Sequence, residues 1–263
     1  MSRGTGLAGI VAVFLAFDCA SAAAAHQAPA AAVDTARTQR ARELALLTSP
    51  FDVMVAVNLS GWEASIARTL ALDPTMITLE KQYPGIGKAA IDSARPLARR
   101  YCEAFVTRIT DRTAQVFAER LSAAELDELI RFYRGSVGQR AVRQLFANFD
   151  SAGVGRQIAE RKASTGTAEV TMDDVRKQGD LAARRAAPEF SPADQLAMIR
   201  FSQTSAAVKY AAAREVSERD VIAMANNPDP DFVAAQDKAL KAAILAFAES
   251  RKRPWQARAP EVR

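Results

Sequence analysis

Histidine is nearly absent from this chain of 263 residues, which contains only His26. Ser-His-Asp triads, Cys-His pairs and histidine zinc sites need an imidazole in the folded region, either as a proton carrier near neutral pH or as a metal ligand. His26 lies close to the N-terminus, ahead of the first helical pattern. The sequence therefore argues against these sites, and we predict no catalytic residue, no metal ligand and no cofactor.

Cysteine is also rare, with two in the whole sequence. Cys19 lies in an N-terminal segment that we expect to be removed, which leaves Cys102 alone. A single cysteine cannot form an internal disulfide, so the fold must depend on packing. Cys102 shares one helical face with Phe105 and Ile109, a pattern that is typical of a small buried residue rather than of a reactive thiol.

Aromatic residues make up only 7% of the chain, whereas alanine is abundant. This composition favours closely packed helices over sheets. A periodicity of 3.6 residues runs through every strong segment, and none of them alternates as a strand would. We predict an all-α fold, a helical bundle built around two related helix-turn-helix hairpins. It would form one domain over residues 38–250, after a flexible linker over residues 26–37.

The chain has 35 basic and 30 acidic residues, which give a net charge of +5. Before the C-terminus no segment concentrates charge of one sign. The basic residues are scattered, except for a basic tail at residues 251–263. We find no block that would line a groove for a polyanion, and we predict no nucleic-acid partner.

Residues 1–25 have the pattern of a secretory signal peptide. Arg3 precedes an uncharged apolar run of 11 residues at 7–17, and small residues follow that run. The run is shorter than the about 20 apolar residues of a membrane-spanning helix. We expect cleavage after Ala22 or Ala25, followed by a periplasmic or secreted location.

The most specific pattern of the chain begins the hairpin predicted at residues 121–149. Ser122 and Glu125 have the spacing of a capping box, in which each side chain satisfies a free backbone amide at the start of a helix. Leu121 and Leu126 have the spacing of a hydrophobic staple across the same end. The helix would bury one apolar face, formed by Leu126, Leu129, Ile130 and Tyr133.

The predicted turn of this hairpin contains Gly135. We expect Gly135 to end the first helix in a left-handed conformation, which glycine adopts without a steric penalty. Ser136 and Gln139 would then form a second capping box and begin the second helix.

A looser copy of this pattern returns 69 residues later, at residues 190–216. Ser191 stands where Ser122 stands in the first copy, and Asp194 replaces Glu125. Duplication of one hairpin explains the repetition better than chance does. Two copies are too few for a solenoid.

Both copies contain the tripeptide Ile-Arg-Phe, at residues 130–132 and 199–201. We expect the isoleucines and phenylalanines to lie near a shared core and the arginines to point away from it. Asp127 is placed to pair with Arg131 four residues on, but a leucine occupies the matching position before Arg200. We predict Arg131 and Arg200 as partner-facing residues, with a solvated side chain as the alternative for Arg200.

Nine positions of the first hairpin form a recognisable signature, namely Glu125, Leu126, Leu129, Ile130, Phe132, Tyr133, Ser136, Gly138 and Gln139. They resemble the acidic-capped EL..LI.FY.S..G pattern of a bacterial exported family known as domain of unknown function 2059. The resemblance implies an all-helical exported protein. It implies no reaction, because the family has no established one.

Three other patterns have simple structural interpretations. The glycines of residues 85–90 match a dinucleotide-binding pattern, but their helical neighbourhood predicts a turn and a helix start. Asp229 and Asp231 lack the further oxygen ligands that calcium needs, and they predict a turn before the last helix. Residues 160–170 predict an exposed loop.

Two functional hypotheses follow. The first is an exported cell-envelope protein, a non-enzymatic helical interaction or structural module that binds an envelope protein, a peptide or an anionic surface. The alternative is an envelope hydrolase that uses carboxylates alone, with Glu125, Asp127 and Glu128 as the candidates. A pocket with converging acids would favour the hydrolase, and a shallow apolar groove would favour the interaction module. The sequence leaves the oligomeric state open.

Overall fold

A computed structural model describes residues 35–256 of the chain, with side chains through Arg251. Within that range every regular element is helical, and no strand is present. The prediction of an all-α fold is therefore confirmed. The signal-peptide prediction and residues 26–34 of the predicted linker lie outside the described residues.

The first half of the described chain contains a helical pair, a short helix and one long helix. They are α1 (Thr35–Thr48), α2 (Phe51–Leu72), α3 (Pro74–Gln82) and α4 (Ile86–Arg120). The second half continues with shorter helices and ends with two long ones. They are α5 (Ala123–Arg134), α6 (Ser136–Ala147), α7 (Ser151–Thr165), α8 (Met172–Ala186), a 3-10 turn (Ala187–Glu189), α9 (Pro192–Ser202), α10 (Ser205–Asn226) and α11 (Pro230–Gln256).

Helix α4, 35 residues long, connects two groups of buried side chains. The first core surrounds its N-terminal part and includes Trp62 of α2, Ile158 of α7 and Phe232 of α11. The second core surrounds its C-terminal part and includes Leu44 of α1 and Leu129 of α5. Apolar side chains on several faces of α4 are buried in this way, which explains why so long a helix is stable.

Helix α7 packs against α2 more extensively than any other pair of helices does in the described part of the chain. The two backbones touch at Gly155 and Gly61, where a Cβ atom on Gly155 would lie 2.1 Å from the Gly61 carbonyl oxygen. Our expectation of an exposed loop at residues 160–170 is wrong in two respects. Helix α7 continues to Thr165, and Val170 is buried.

The connection between α7 and α8 is held by side chains at both of its ends. The Asn226 amide of α10 accepts a hydrogen bond from the Val170 N–H at 2.8 Å and donates one to the Val170 carbonyl at 3.0 Å. Asp174 closes a capping box with Thr171 and accepts two hydrogen bonds from the Arg161 guanidinium, at 2.9 and 2.7 Å. This bidentate ion pair joins the end of α7 to the start of α8.

We expect Asp174 to make the stability of the fold depend on pH below about 4. Burial opposes the ionisation of Asp174, but hydrogen bonds from Arg161 and Thr171 outweigh it and hold the pKa of the carboxyl below its ordinary 3.8. A carboxyl with a lowered folded-state pKa stabilises the fold above its unfolded pKa, and that contribution disappears as the pH falls through the folded pKa. In urea titrations between pH 5 and about 2, wild type should lose more stability than Asp174→Asn does.

The matched control for this prediction is Asp173→Asn, which changes the exposed neighbouring acid in the same helical turn. It should keep the pH dependence of the wild-type protein. Equal slopes for wild type and Asp174→Asn would show that the ion pair with Arg161 contributes nothing to acid sensitivity.

No single helix among residues 35–256 is long and apolar enough to cross a membrane. Helices α1 and α2 meet the length and composition criteria only when they are taken together, and they are bent by 52° at the break between them.

Candidate functional site

Helix α5 begins with the capping box that the sequence predicts. The Ser122 hydroxyl accepts a hydrogen bond from the Glu125 N–H at 3.3 Å, and the Glu125 carboxylate accepts one from the Ser122 N–H at 2.8 Å. Leu121 and Leu126, the predicted staple, are both buried, and so are Leu129 and Ile130. The start and the inner face of α5 are therefore determined locally, by residues within one or two turns.

We expect Ser122→Ala and Leu129→Ala to destabilise the protein by different amounts. Loss of the cap removes one hydrogen bond at an exposed helix end and should cost about 1 kcal/mol. Truncation of Leu129, which is fully buried in the second core, should cost roughly 2–5 kcal/mol. Urea unfolding of both variants measures the difference. Equal, small effects would contradict the burial of this face.

The joint between α5 and α6 differs from the prediction. Gly135 has φ −68° and ψ 159°, an extended conformation, so our expectation of a left-handed residue is wrong. Gly135 ends α5 and also stands at the N-cap of α6, which makes Ser136 the first helical residue. The predicted capping box of Ser136 and Gln139 is wrong for that reason, because the N-cap position carries no side chain.

A different glycine holds the two helices close together. A Cβ atom on Gly138 would lie 2.4 Å from the Phe132 carbonyl oxygen and 2.7 Å from the Tyr133 Cα. Because both are backbone atoms, moving either of them would require the helix itself to shift. The glycine at this position of the signature therefore permits the close approach of α6 to the end of α5.

The second copy of the pattern has corresponding joints. Ser191 and Asp194 form a capping box at the start of α9. Thr204, which stands 69 residues after Gly135, has φ −73° and ψ 150° and caps α10 through its hydroxyl. Helix α10 continues to Asn226, ten residues past the predicted end, because its later turns are buried against other helices. Duplication of the hairpin stays a prediction.

Helix α9 is less buried than α10, the other helix of the second copy. None of its 11 residues, all within the described range, is buried. Its inner side, with spacing i, i+3, i+4 and i+7, consists of Asp194, Ala197, Met198 and Phe201. On the outer side Leu196 and Ile199 are 47% and 54% exposed. The expectation that Ile199 lies near a core is therefore wrong, because the helix turns that side chain towards solvent.

Five aromatic rings connect α9 to the second core; we call them the aromatic junction. The Phe132 and Phe201 rings are stacked, with centroids 3.6 Å apart and planes 1° from parallel. Tyr133 lies 5.9 Å from Phe201 and 5.7 Å from Tyr210, and Tyr210 lies 5.3 Å from Phe117. The two Ile-Arg-Phe tripeptides thus meet through their phenylalanines, a contact that the sequence did not predict, and both rings are half-buried.

A layer of polar groups lies behind the aromatic junction. The Arg214 guanidinium carbon lies 5.9 Å from the Tyr210 ring centroid, and a guanidinium nitrogen lies 2.7 Å from the Glu218 carboxylate. Burial raises the pKa of Glu218, although Arg214 opposes this shift. Burial also raises the pKa of Tyr133 well above its ordinary value. Arg214 and Glu218 are four residues apart on α10, so this largely buried ion pair lies within one helix and gives each charge a partner.

The two arginines predicted to face a partner are both exposed. Asp127 does not form the expected ion pair with Arg131, because its carboxylate oxygen lies 2.8 Å from the Arg40 Nε of α1. Arg200 lies on the outer side of α9, on the same face as Leu196. The structure stacks the phenylalanines that follow the two arginines but leaves the arginines themselves in solvent.

Two of the three carboxylates of the hydrolase alternative, Glu125 and Asp127, have structural partners. Glu125 caps α5, and its other oxygen accepts a hydrogen bond from Lys209. Burial opposes its ionisation, but Lys209 and Ser122 outweigh that effect and lower the pKa of Glu125. Asp127 pairs with Arg40. No group of three or more His, Cys, Asp or Glu in the described part of the chain is arranged to hold a metal ion.

A carboxylate of the chain itself occupies the site that a phosphate would need at the glycine-rich residues 85–90. The Glu80 side chain accepts hydrogen bonds from the Gly85 N–H at 2.6 Å and from the Gly87 N–H at 3.1 Å. Gly85 has φ +90°, the left-handed conformation that glycine tolerates. This arrangement is the turn and helix start that the sequence predicts.

An open groove of about 200 Å³ lies between α1 and α4, and an ion pair between Arg42 and Asp111 crosses it at 3.1 Å. Cys102 is buried, and desolvation, with smaller effects of Glu103 and Glu63, raises the pKa of its thiol to about 12. The thiol is therefore unreactive at neutral pH, as its helical position predicts.

The stacking of Phe132 on Phe201 was not identified from the sequence as the contact between the two hairpins. The repeated Ile-Arg-Phe tripeptide was the available signal, since it places a phenylalanine at equivalent positions of two helices. The sequence alone could not decide which side of α9 would face inwards.

The middle of the chain matches a known protein family. Residues 107–160 match the sequence model of a family described as an uncharacterized protein conserved in bacteria, domain of unknown function 2059. The matched range covers the end of α4, all of α5 and α6, and most of α7. It confirms the resemblance stated from residues 125–139. No curated protein and no solved structure matches the chain.

Proposed function

We propose that this protein is an exported, non-enzymatic helical interaction module of the bacterial cell envelope, and that it contacts its partner through the outer side of α9. The observation that carries the proposal is the exposure of Leu196 and Ile199 on one face of a helix, together with the exposed Arg200. The match of residues 107–160 to an uncharacterised bacterial family is consistent with it.

The outer side of α9 has the composition of a small contact surface. Leu196 and Ile199 lie three residues apart, so their side chains are neighbours on the helix, and Arg200 follows Leu196 by four residues. Burial of the two aliphatic side chains on a partner would be favourable, at about 25 cal/mol per Å² of apolar surface. Arg200 would favour a carboxylate beside the apolar contact. We infer a protein or peptide partner that carries apolar side chains next to an acidic residue.

Site-specific photo-crosslinking in intact cells of the native host tests this surface. A photoreactive residue at position 199 should form an adduct of defined mass that disappears with Arg200→Glu and persists with Arg200→Lys. The control position is Leu245 of α11, which is 64% exposed but lies on a different helix. The same adduct from positions 199 and 245, or an adduct insensitive to Arg200→Glu, would contradict the proposal.

A lipid surface is the competing partner class, and sedimentation with vesicles distinguishes it. Vesicles containing an anionic phospholipid should not sediment the processed protein at physiological ionic strength. Sedimentation that is lost in Leu196→Ser and Ile199→Ser variants would assign the outer side of α9 to a membrane and would overturn the protein or peptide partner.

Export gives a separate prediction. Arg3, the apolar run at residues 7–17 and the small residues after it support cleavage of a signal peptide. Intact-mass analysis of the protein from its own host should find a chain that begins at Ala23 or His26. Full-length protein recovered from the cytoplasm would contradict an envelope location.

A further inference from the structure

We propose that α9 is a detachable helix which occupies a binding groove formed by α5, α6 and α10, and that the same groove accepts an amphipathic helix from a partner. The inference concerns the inner side of α9 and is independent of the outer contact surface. It is carried by three observations: the few contacts that hold α9, the aromatic surface beneath it, and the residue pattern by which α9 binds.

Two side chains of α9 provide its main specific contacts with α5 and α6. Phe201 stacks on Phe132 of α5, and Asp194 pairs with Arg140 of α6. The two anchors are seven residues apart, which is about two helical turns, so they fix both ends of one face. The Asp194 side chain is 12% exposed, whereas that of Arg140 is 39% exposed.

The rest of α9 contributes little burial. Leu126, Leu129 and Ile130 are buried in α5, a helix of similar length, whereas no residue of the fully described α9 is buried. Local opening has a low free-energy cost where few apolar side chains are buried. We therefore expect α9 to open as a unit, between the extended residues Phe190 and Thr204 that flank it.

Opening of α9 would uncover a surface that suits a helix. Phe132 would lose its stacking partner, and one side of Tyr133 would become accessible. Arg140 would lose its carboxylate partner. An aromatic surface with one cation about two turns away fits the apolar face of an amphipathic helix that carries an acidic residue near its N-terminal end.

The sequence of α9 specifies the occupant. Its inner side reads acid, small residue, methionine and aromatic at positions i, i+3, i+4 and i+7. A partner helix with a carboxylate seven residues before an aromatic ring, and apolar residues between them, would reproduce both anchors. Such a helix would compete directly with α9 for Phe132 and Arg140.

Hydrogen exchange on the unmodified, processed protein tests the detachment. Backbone amides of α9 should exchange at least tenfold faster than those of α5, although both helices begin with a capping box. Protection of α9 equal to that of α5 would overturn the proposal, whatever the outcome for the outer surface. This measurement needs no substitution, so it does not depend on whether a variant folds.

A synthetic peptide tests the groove. The probe is a labelled peptide of residues 188–204, and its binding is measured by fluorescence anisotropy. The full chain with Phe201→Ala should bind the peptide at least tenfold more tightly than wild type does, because its own α9 has lost an anchor. A peptide in which the phenylalanine corresponding to Phe201 is alanine should not bind, and Arg140→Gln in the protein should weaken binding.

The matched control is Ile199→Ala, a truncation on the outer side of α9. It should leave the exchange rates of α9 and the affinity for the peptide unchanged, whether or not the outer side of α9 contacts a partner. If the folded Phe201→Ala protein fails to bind the peptide, the groove does not accept a helix and the proposal is wrong. Failure of this inference is thereby separated from failure of the proposed function.

Discussion

Gly155→Ala should destabilise the protein by about 2 kcal/mol or more, although the same replacement usually stabilises a helix. Alanine has an intrinsic advantage over glycine of about 1 kcal/mol inside a helix. At Gly155, however, the new Cβ would lie 2.1 Å from the Gly61 carbonyl oxygen and 3.2 Å from the Gly61 Cα. Because both neighbours are backbone atoms, α7 would have to move away from α2. Such overpacking typically costs about 1–3 kcal/mol or more.

Gly87→Ala is the matched control for this prediction. Gly87 is also helical, but its Cβ would meet only the Glu80 carboxylate at 3.4 Å and a Leu70 methyl at 4.0 Å. The variant should be as stable as wild type or more stable by up to about 1 kcal/mol. Urea unfolding at neutral pH measures both variants. Equal stability of Gly155→Ala and Gly87→Ala would show that α2 and α7 do not touch at Gly61.

Trp62→Ala should cost roughly 3–5 kcal/mol, the largest effect that we expect from a single truncation. Trp62 is 1% exposed in the first core, and its indole N–H donates a hydrogen bond to the side-chain amide oxygen (Oε1) of Gln236 at 2.7 Å. The substitution therefore removes a large buried side chain and the polar contact that joins α2 to α11. The expected readout is a lower urea midpoint with a similar denaturant slope.

The hydrogen bond can be separated from the packing of the ring. Trp62→Phe keeps a buried aromatic ring but removes the donor, and it should cost about 1–3 kcal/mol. A double-mutant cycle with Gln236→Leu should give a coupling of at least about 0.5 kcal/mol, since the two side chains touch. Additive effects would mean that the bond between α2 and α11 contributes no stability of its own.

Several features of the fold could be predicted because their causes are local in sequence. The capping boxes at Ser122 and Ser191 depend on residues three positions apart, and both are present. The helical face that contains Cys102, Phe105 and Ile109 depends on periodicity alone, and all three residues are buried. Residue type and spacing contain that information, so no tertiary contact was needed to infer it.

Other predictions failed where two helices compete for one residue. Gly135 is expected to be left-handed if α5 is considered alone, but the immediate start of α6 requires an extended residue there. Asp127 is expected to pair within its own helix, but Arg40 of α1 lies nearby in the folded chain. These outcomes depend on how helices are placed, which local patterns do not encode.

The sequence by itself determined an all-helical chain, the helix starts at Ser122 and Ser191, and the resemblance to an uncharacterised bacterial family. Only the tertiary structure decided that Gly155 lies against Gly61, that Phe132 stacks on Phe201, and that Ile199 faces solvent. The physical reason is distance along the chain. Capping and periodicity act within a few residues, whereas the contacts of Phe132 with Phe201 and of Gly61 with Gly155 join residues 69 and 94 positions apart and depend on how complete helices pack.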